Sequence, residues 1–388
     1  MNAGSKSKFP RLLYVGDVPV EASYHGSALL HRLLADYPHD RLTIIETATE
    51  SVPARRLPRV NYISQPIGKA RWLNTRFHPY AVAWFTHAGT RLAPKIVQSV
   101  NGAGFESVLT VAHGFGWLAA AEIASKRNVP LHLIVHDDWP RIADVTPSFR
   151  QKLEERFARV YRQAQSRLCV SPAMTRFYEE RYGECGQVIY PSRAPNCPTF
   201  DTPPERLANN DKPFTIAFAG TINSNGYIQA LTALQNALKP VGGRLLIFGP
   251  TEFGLNDSNT ENCGLLSSAE LLTRLREETD ALFVPMSFDA SDRVNMQMAF
   301  PSKLADYTAT GLPLLIYGPT YCSAVVWARE NPGAAEVVET ESKLGDAIAR
   351  LANNPDRRVT LGKRALDIGR EYFTHGRAQQ LFIRALSA

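Results

Sequence analysis

The sequence has few cysteines, and none of them stands in a pattern typical of a metal site or a disulfide framework. Its 388 residues include five cysteines, which are widely spaced and form no C-x-x-C pair. Scattered cysteines in odd number argue against a structural zinc site and favour a reducing compartment. We therefore predict a cytoplasmic protein that binds no metal.

Long apolar runs and several familiar motifs are also missing. No stretch reaches the roughly 18 apolar residues that a membrane-spanning helix needs. The first residues, MNAGSKSKFPRLLYVG, contain lysines but no apolar segment typical of a secretory signal. Because no G-x-G-x-x-G follows the first predicted strand, nicotinamide binding is not indicated. No helix-turn-helix, zinc-finger or RNA-binding signature is present, so we predict no nucleic-acid partner.

The net charge of +6 is unevenly distributed. Residues 1–200 contain 25 Lys and Arg against 16 Asp and Glu, whereas residues 201–388 contain 18 against 21. Basic and aromatic side chains alternate along one segment of the first half: Arg55, Arg56, Arg59, Lys69, Arg71, Trp72, Arg76 and Phe77. Such a segment is typical of contact with an anionic membrane or a polyprenyl-phosphate acceptor. A merely solvated face explains it equally well.

The pattern of strands and helices predicts the fold class. The two alternate throughout both halves, which predicts α/β domains with parallel sheets. A chain of 388 residues suits two such domains. We predict a Rossmann-like, doubly wound domain at residues 1–195, a proline-rich linker at 196–212 and a second such domain at 213–370.

One stretch of the second half, Ala299–Pro319, combines a helix with a buried strand: AFPSKLADYTATGLPLLIYGP. The spacing predicts a helix from Lys303 to Thr310, which Gly311 ends at the C′ position. A helix N-terminus and the charge of Lys303 together suit a diphosphate, and Asp306 could accept hydrogen bonds from a ribose. An ordinary amphipathic helix with both charges on its solvated face explains the same pattern.

The same stretch resembles the sugar-nucleotide signature of retaining GT-B glycosyltransferases of family 4, P-x-K-L-x-E-Y-x-A-x-G-x-P. The matching residues are Pro301, Lys303, Leu304, Asp306, Tyr307, Ala309, Gly311 and Pro313. Asp306 stands where the family usually has Glu. The resemblance implies two domains facing a cleft, and a last helix, residues 371–388, that crosses back to the first domain. It also implies a nucleoside-diphosphate sugar as co-substrate, bound without a cofactor at Pro301, Ser302, Lys303 and Asp306.

Further donor contacts follow from the resemblance. The family commonly holds the diphosphate with an Arg and a Lys in the loop that here carries Gly220, Thr221 and Asn225. Because a leaving diphosphate gains negative charge, Lys303 or Arg293 would have to supply the cation. The remaining donor contacts that the resemblance implies are Gly26, Gly249, Leu265 and Leu266. For the last two, a helix N-cap at Ser267 or Ser268 is the structural alternative.

Two predicted strands of the first half end in histidine. One ends at His113, and the other at His136 with Asp137 and Asp138 after it. The carboxyl ends of parallel strands meet at one edge, where open α/β sheets keep their sites, although a lone histidine at a strand end is more often structural. In the family, the residue at the place of His136 points at the donor sugar. The resemblance implies acceptor contacts at His25, His113, Asp137 and Asp138.

These observations predict a metal-independent, retaining transfer of a hexose to a hydroxyl acceptor. The acceptor would be a glycan or a lipid-linked glycan in surface polysaccharide or glycoconjugate synthesis, and the reaction would take place in the cytoplasm or at the cytoplasmic face of an anionic membrane. The catalytic residues would be His136, Lys303 and Arg293. Two alternatives stay open: a GT-B nucleotide-sugar epimerase, and a non-catalytic nucleotide-sugar or glycan binding protein, which the missing Arg and Lys pair favours.

Overall fold

The computed structural model describes residues 9–23, 25–48, 50–68, 75–100, 104–143, 145–209, 212–222, 224–250, 255 and 257–387. The chain divides into two compact units. One comprises Met1–Tyr190 with His375–Ala388, and the other comprises Pro191–Thr374. Over the described ranges, none of the helices is both long enough and apolar enough to span a bilayer.

The first unit is built on a seven-stranded parallel sheet with the order β3-β2-β1-β4-β5-β6-β7. Its strands are β1 (Leu12–Gly16), β2 (Leu42–Glu46), β3 (Asn61–Ser64), β4 (Ser107–Val111), β5 (Leu131–Val135), β6 (Ser166–Cys169) and β7 (Gln187–Val188). Its helices are α1 (His25–Leu34), α2 (His78–Ser99), α3 (Gly116–Arg127), α4 (Trp139–Ile142), α5 (Pro147–Gln163) and α6 (Pro172–Tyr182), with α14 (His375–Ser387) from the end of the chain. This order reverses at β1 and β4, where doubly wound sheets place their ligands.

The second unit is built on a six-stranded parallel sheet with the order β10-β9-β8-β11-β12-β13. Its strands are β8 (Thr215–Ala219), β9 (Arg244–Phe248), β10 (Thr260–Gly264), β11 (Ala281–Pro285), β12 (Leu314–Tyr317) and β13 (Glu336–Val338). Its helices are α7 (Asn225–Leu238), α8 (Ser268–Glu278), α9 (Arg293–Met298), α10 (Lys303–Tyr307), α11 (Ser323–Glu330), α12 (Leu344–Asn353) and α13 (Pro355–Tyr372). Strands β8, β11 and β12 are buried along their whole length, as an inner parallel strand covered on both faces must be.

The partly buried edge strands β3 and β10 were not predicted from the sequence. Residues 50–80 show no regular pattern in the sequence, but β3 pairs with β2, and α2 begins at His78. In the second unit β10, with the sequence TENCG, pairs with β9. Both strands lie at the end of a sheet and are only partly buried, so they carry no apolar run that a sequence pattern could show.

The helix of the signature stretch is shorter than expected. It was predicted to reach Thr310, but α10 ends at Tyr307 and a turn follows. The hydroxyl of Thr308 donates to the carbonyl of Leu304 at 2.8 Å, and that of Thr310 donates to Tyr307 at 2.7 Å. Such side-chain bonds compete for the carbonyls that would continue an α-helix. Gly311 does adopt the left-handed conformation expected of it, with φ +72°.

The described residues of the expected linker, 196–209 and 212, belong to the second unit. Leu207 is fully buried. The buried guanidinium of Arg358 donates to the carbonyls of Leu207 and Asn209 at 3.2 and 2.9 Å. Helix α14, in contrast, packs in the first unit, where the amide of Gln379 donates to the carbonyl of Leu33 at 2.7 Å.

The contact between α13 and the turn at Gly311 provides a test of the fold. A methyl group at Gly362 would lie 2.2 Å from the carbonyl oxygen of Gly311, which is backbone and cannot yield. We expect Gly362→Ala to lower the free energy of unfolding by about 1–3 kcal/mol, the usual cost of overpacking. Thermal melting of the purified variant checks this expectation.

Gly345→Ala in α12 is the matched control, since nothing lies within 4 Å of the added methyl group. It should leave the melting temperature unchanged or raise it slightly, because alanine favours a helix over glycine by about 1 kcal/mol. Equal melting temperatures for the two variants would contradict the packing of α13 against the turn.

Candidate functional site

In the second unit, two strand ends meet closely at the start of α7. Gly220 follows β8 with φ +146°, a conformation that side chains rarely permit. A methyl group at Gly249, which follows β9, would lie 2.6 Å from the carbonyl oxygen of Gly220. The two glycines therefore let the loop from residue 220 pass directly over β9 before α7 begins at Asn225.

Lys303 lies under this loop. Its Nζ is 4.3 Å from the centre of the Phe218 ring and 5.5 Å from that of Tyr227. A methyl group built on Gly220 would lie 3.4 Å from the same nitrogen. Burial lowers the pKa of Lys303 to about 7. Among the described residues no carboxylate forms an ion pair with Lys303, so only aromatic faces stabilise its positive charge.

Tyr307 fixes α10 against the end of β8. Its hydroxyl accepts a hydrogen bond from the backbone N–H of Ala219 at 2.6 Å and donates to the carbonyl of the same residue at 3.2 Å. Because Tyr307 lies one helical turn after Lys303, this pair of bonds sets the height of the lysine side chain relative to the Gly220 loop.

Arg193 holds the other side of α10, and sequence reasoning missed it. Its buried guanidinium donates to the carbonyl of Ala305 at 3.0 Å and to the hydroxyl of Thr308 at 3.2 Å. Burial lowers the pKa of Arg193. Gly369 makes room for it, since a methyl group there would lie 2.0 Å from the guanidinium. No local pattern pointed to Arg193, because its partners lie more than 100 residues away in the chain.

The other predicted diphosphate residues lie at the start of α7. Thr221 is half-buried and Asn225, the first residue of the helix, is exposed. Ser224 precedes the helix, and its hydroxyl oxygen is buried without a hydrogen-bond partner among the described residues. The structure therefore brings Gly220, Thr221, Asn225 and Lys303 to one end of the sheet.

The signature residues around Lys303 differ in exposure. Pro301 and Asp306 are half-buried and Ser302 is exposed. The guanidinium of Arg293, at the start of α9, is exposed and stacks 4.5 Å above the ring of Tyr321. Since α10 has only five residues, the positive field expected from its N-terminus rests mainly on the charge of Lys303.

The predicted base contacts lie in the loop before α8. Leu265 is 52 % exposed and Leu266 is half-buried. Ser267 is the N-cap of α8 and forms a capping box with Glu270, as the structural alternative predicted. Neither the exposure of Leu265 nor the cap of α8 tests contact with a nucleobase, so this role of Leu265 and Leu266 stays a prediction.

In the first unit, two histidines meet at the carboxyl edge of the sheet. The rings of His113 and His136 are 5.5 Å apart, and Trp139 lies 4.7 Å from His113. Burial, with the neighbouring His136 as a second cause, lowers the pKa of His113 to about 4, so this ring is neutral at pH 7. A methyl group at Gly26 would lie 2.8 Å from Cε1 of His136, so only glycine allows this ring its position.

Of the acceptor residues, the structure describes all but the side chain of His25, of which only the backbone at the start of α1 is described. Asp137 lies 3.3 Å from Nε2 of His136. Asp138 is only 2 % exposed, where it accepts a hydrogen bond from Tyr178 at 2.9 Å and pairs with Arg141 at 3.3 Å. These bonds favour a structural role for Asp138 over contact with an acceptor.

Asp17 positions the loop that carries His113, and the sequence analysis did not identify it. Its carboxylate accepts hydrogen bonds from the backbone N–H of Phe115 at 2.5 Å and of Gly116 at 3.0 Å, and also bonds the hydroxyl of Thr47. Burial raises its pKa. An acidic residue immediately after β1 was the available signal, but only the fold shows that it caps α3.

The cluster of His113, His136 and Asp137 contains the ligand types that a transition metal prefers. Nitrogen and oxygen atoms of His113, His136 and Asp137 lie within 4.8 Å of one another. Two imidazoles and a carboxylate can hold zinc. The sequence predicted no metal, and this cluster is the place among the described residues where one would bind.

No protein-family model matches the sequence, and no curated protein does. Solved structures do match it over almost its whole length. HepE of Anabaena, in complex with UDP and glucose, is 14% identical with a TM-score of 0.70, covering 98% of this chain and 100% of its own. The sucrose-phosphate synthase of Thermosynechococcus elongatus is 14% identical with a TM-score of 0.69, covering 97% and 98%.

A third match is the α,α-trehalose-6-phosphate synthase of Burkholderia multivorans. It is 12% identical with a TM-score of 0.65, covering 98% of this chain and 96% of its own. These structures share the GT-B fold. The chain has the GT-B fold. At these identities the likeness extends to the fold, and the fold class expected from the signature residues is confirmed.

Lys303 provides a test of the site that needs no substrate. Its pKa of about 7 lies below the value near 10.4 of an unfolded lysine, so the unfolded chain binds more protons between these two values. This residue therefore makes the protein more stable as the pH rises through that range. We expect Lys303→Met to melt at a higher temperature than the wild type at pH 7 and below, with the difference shrinking towards pH 9.5.

The matched control is Lys363→Met, which removes an exposed lysine of α13. Its melting temperature should follow that of the wild type at every pH. If Lys303→Met also followed the wild type, or melted at a lower temperature than the wild type at pH 6, the inference that Lys303 is desolvated and has a lowered pKa would be wrong.

Proposed function

We propose that this protein is a glycosyltransferase that moves a hexose from a nucleoside-diphosphate sugar to a hydroxyl acceptor. The observation that carries the proposal is the unpaired ammonium of Lys303 beneath the loop at Gly220. Desolvation without an ion pair to any described carboxylate lowers the pKa of this amine, and an anion bound beside it would stabilise the protonated form. No described carboxylate supplies such an anion beside Lys303, so a bound ligand would have to supply it.

The neighbouring helix suits the same anion. Helix α7 has 14 residues, and its first turn offers backbone N–H groups that have no partner within the helix. These groups and the positive end of the helix dipole favour a phosphate. The hydroxyl of Ser224, which has no hydrogen-bond partner among the described residues, adds a donor at the same place. A diphosphate between α7 and Lys303 would satisfy all three.

The proteins of similar fold support uridine as the base. HepE of Anabaena binds UDP and glucose in one structure and UDP-glucose in another. A Burkholderia xenovorans protein with the same fold is described as a UDP-forming trehalose-phosphate synthase, with a TM-score of 0.63. We therefore propose UDP-glucose as the first donor to test. Asp306 would bind the ribose hydroxyls, and Leu265 and Leu266 would contact the base.

In the proposed reaction, the bond between the anomeric carbon and the β-phosphate oxygen breaks, and the electron pair leaves with the diphosphate. Lys303, in its protonated form, and the N–H groups of α7 stabilise the added negative charge. The acceptor hydroxyl attacks the same face of the sugar, and its proton passes to the leaving phosphate oxygen, so the configuration is retained. Arg293 is a second cation for the diphosphate, and His136 contacts the sugar.

The uncharged residues at the start of α7 favour a second candidate function. Thr221 and Asn225 stand where related transferases commonly have cations, which is what a binding protein that has lost turnover would show. Such a protein would bind UDP-glucose without releasing UDP.

The proposal predicts release of UDP that depends on an added acceptor. Purified protein with UDP-glucose and a panel of glycans and lipid-linked sugars should form UDP and a new glycoside with α-configuration, the linkage read by NMR. Lys303→Ala should lower kcat/KM by about 100-fold or more, as the loss of a group that stabilises a leaving group does. Lys363→Ala should leave it unchanged.

Three results would exclude parts of this proposal. Binding without turnover for every acceptor would favour the binding protein, and sugar interconversion without acceptor would favour an epimerase. Since the proposal assigns the reaction no metal, treatment with EDTA should leave the rate unchanged. If EDTA abolished turnover and zinc restored it, the cluster at His113 would be the first place to substitute.

The pKa of Lys303 predicts how donor affinity depends on pH. UDP-glucose has no phosphate group that titrates between pH 6 and 9, so a change in its affinity in that range comes from the protein. Lys303 loses its proton above pH 7. We expect calorimetry to show a Kd that rises by up to about tenfold per pH unit above 7, and a flat profile in Lys303→Met. A flat profile in the wild type would remove Lys303 from the diphosphate site.

A further inference from the structure

Helix α2 exposes a row of aromatic side chains. Phe77, immediately before the helix, is 47% exposed, Tyr80 is 77% exposed and Trp84 is 62% exposed. Large hydrophobic side chains are rarely exposed elsewhere among the described residues, so three within eight residues form a distinct patch. These exposed side chains do not contribute to the hydrophobic core of their own unit, so the patch needs another explanation.

The exposed residues lie on one side of α2. Tyr80, Trp84, His87, Arg91 and Lys95 are three or four residues apart, follow one another along the helix, and are all exposed. We call them the α2 face. The opposite side packs inward through Val82, Phe85, Leu92, Ala93 and Ile96, which are buried. The α2 face is therefore the outer surface of a helix that is already fully packed.

The charge of this face has one sign. Residues 75–100 contain no Asp or Glu. Arg76, Arg91 and Lys95 are exposed, and no ion pair involves them among the described residues. Helix α5 of the same unit shows that this pattern is not general, because its exposed surface carries Glu155 beside Lys152 and Arg159.

We propose that the α2 face docks on an anionic lipid surface. Tyr and Trp have an apolar ring with a polar end, and they partition to the boundary between lipid headgroups and acyl chains. Lys and Arg beside them are attracted to anionic headgroups. The 22 residues of α2, about 33 Å long, place aromatic anchors in the first half and basic groups in the second half of one helix lying along the surface.

A second copy of this chain is a less suitable occupant. In a symmetric dimer the same patch is present on both sides, so the interface would bring together the positive charges of Arg91 and Lys95 from both copies. No acidic residue of the helix could compensate them. Charge complementarity therefore selects an anionic partner, and the exposed rings select one that also accepts apolar groups.

Flotation with lipid vesicles tests the proposal on the full-length protein without any sugar donor. We expect the protein to float with vesicles of phosphatidylcholine and phosphatidylglycerol, at least tenfold more than with phosphatidylcholine alone, and to be released by high salt. Trp84→Ser with Tyr80→Ser should lower binding by about tenfold or more. Arg91→Gln with Lys95→Gln should lower it about 25-fold, at about fivefold per charge.

The control removes the same charge from α5 by Lys152→Gln with Arg159→Gln, and it should bind vesicles like the wild type. All variants should keep the wild-type melting temperature, which excludes unfolding as a cause. Equal binding to neutral and anionic vesicles, or an equal loss in the α5 control, would overturn the proposal.

Sedimentation velocity tests the other candidate occupant of the α2 face, which is a second copy of this chain. A dimer that Trp84→Ser dissociates, in a protein that does not float with anionic vesicles, would show self-association through the α2 face and would also overturn the proposal. Because no donor is present in these experiments, they stand or fall independently of the transfer reaction.

Discussion

The candidate site depends on the ammonium group of Lys303, which lies beneath the Gly220 loop and forms no ion pair with a described carboxylate. Proteins usually pair a buried cation with a carboxylate, whereas the half-buried ammonium of Lys303 lies against the rings of Phe218 and Tyr227 and forms no ion pair with a described carboxylate. The hydroxyl of Tyr307 and the guanidinium of Arg193 hold α10 on either side through hydrogen bonds that involve the backbone, which fixes the point from which the lysine side chain extends. An anionic ligand bound at this place would stabilise the protonated form of the lysine.

Close approach of backbone at the strand ends is the second constraint. Gly249 must lack a side chain because the Gly220 carbonyl passes over it, and Gly26 must lack one because His136 lies against it. In both units the glycines lie at the carboxyl edge of a parallel sheet. This edge is where loops are free to vary in sequence while the strands beneath them hold their positions.

Much of the fold could be predicted from the sequence. Inner strands such as β8, β11 and β12 are short apolar runs between turn residues, and the long helices show apolar positions every three or four residues. The edge strands β3 and β10 could not be found, because half-exposed strands carry too few apolar residues. Among the candidate site residues, Lys303 was predicted from its motif. Arg193 and Asp17 were missed because their bonds link residues about 100 positions apart.

The sequence by itself determined the alternation of strands and helices, the signature around Lys303 and the two histidines at strand ends, since each is a local pattern of neighbours. Only the tertiary structure decided that Asp138 is buried against Tyr178, that Lys303 has no carboxylate partner among the described residues and that the aromatic row of α2 faces outward. The physical reason is that burial and pairing depend on residues far apart in the chain. Periodicity shows which residues share a face, but not what covers that face.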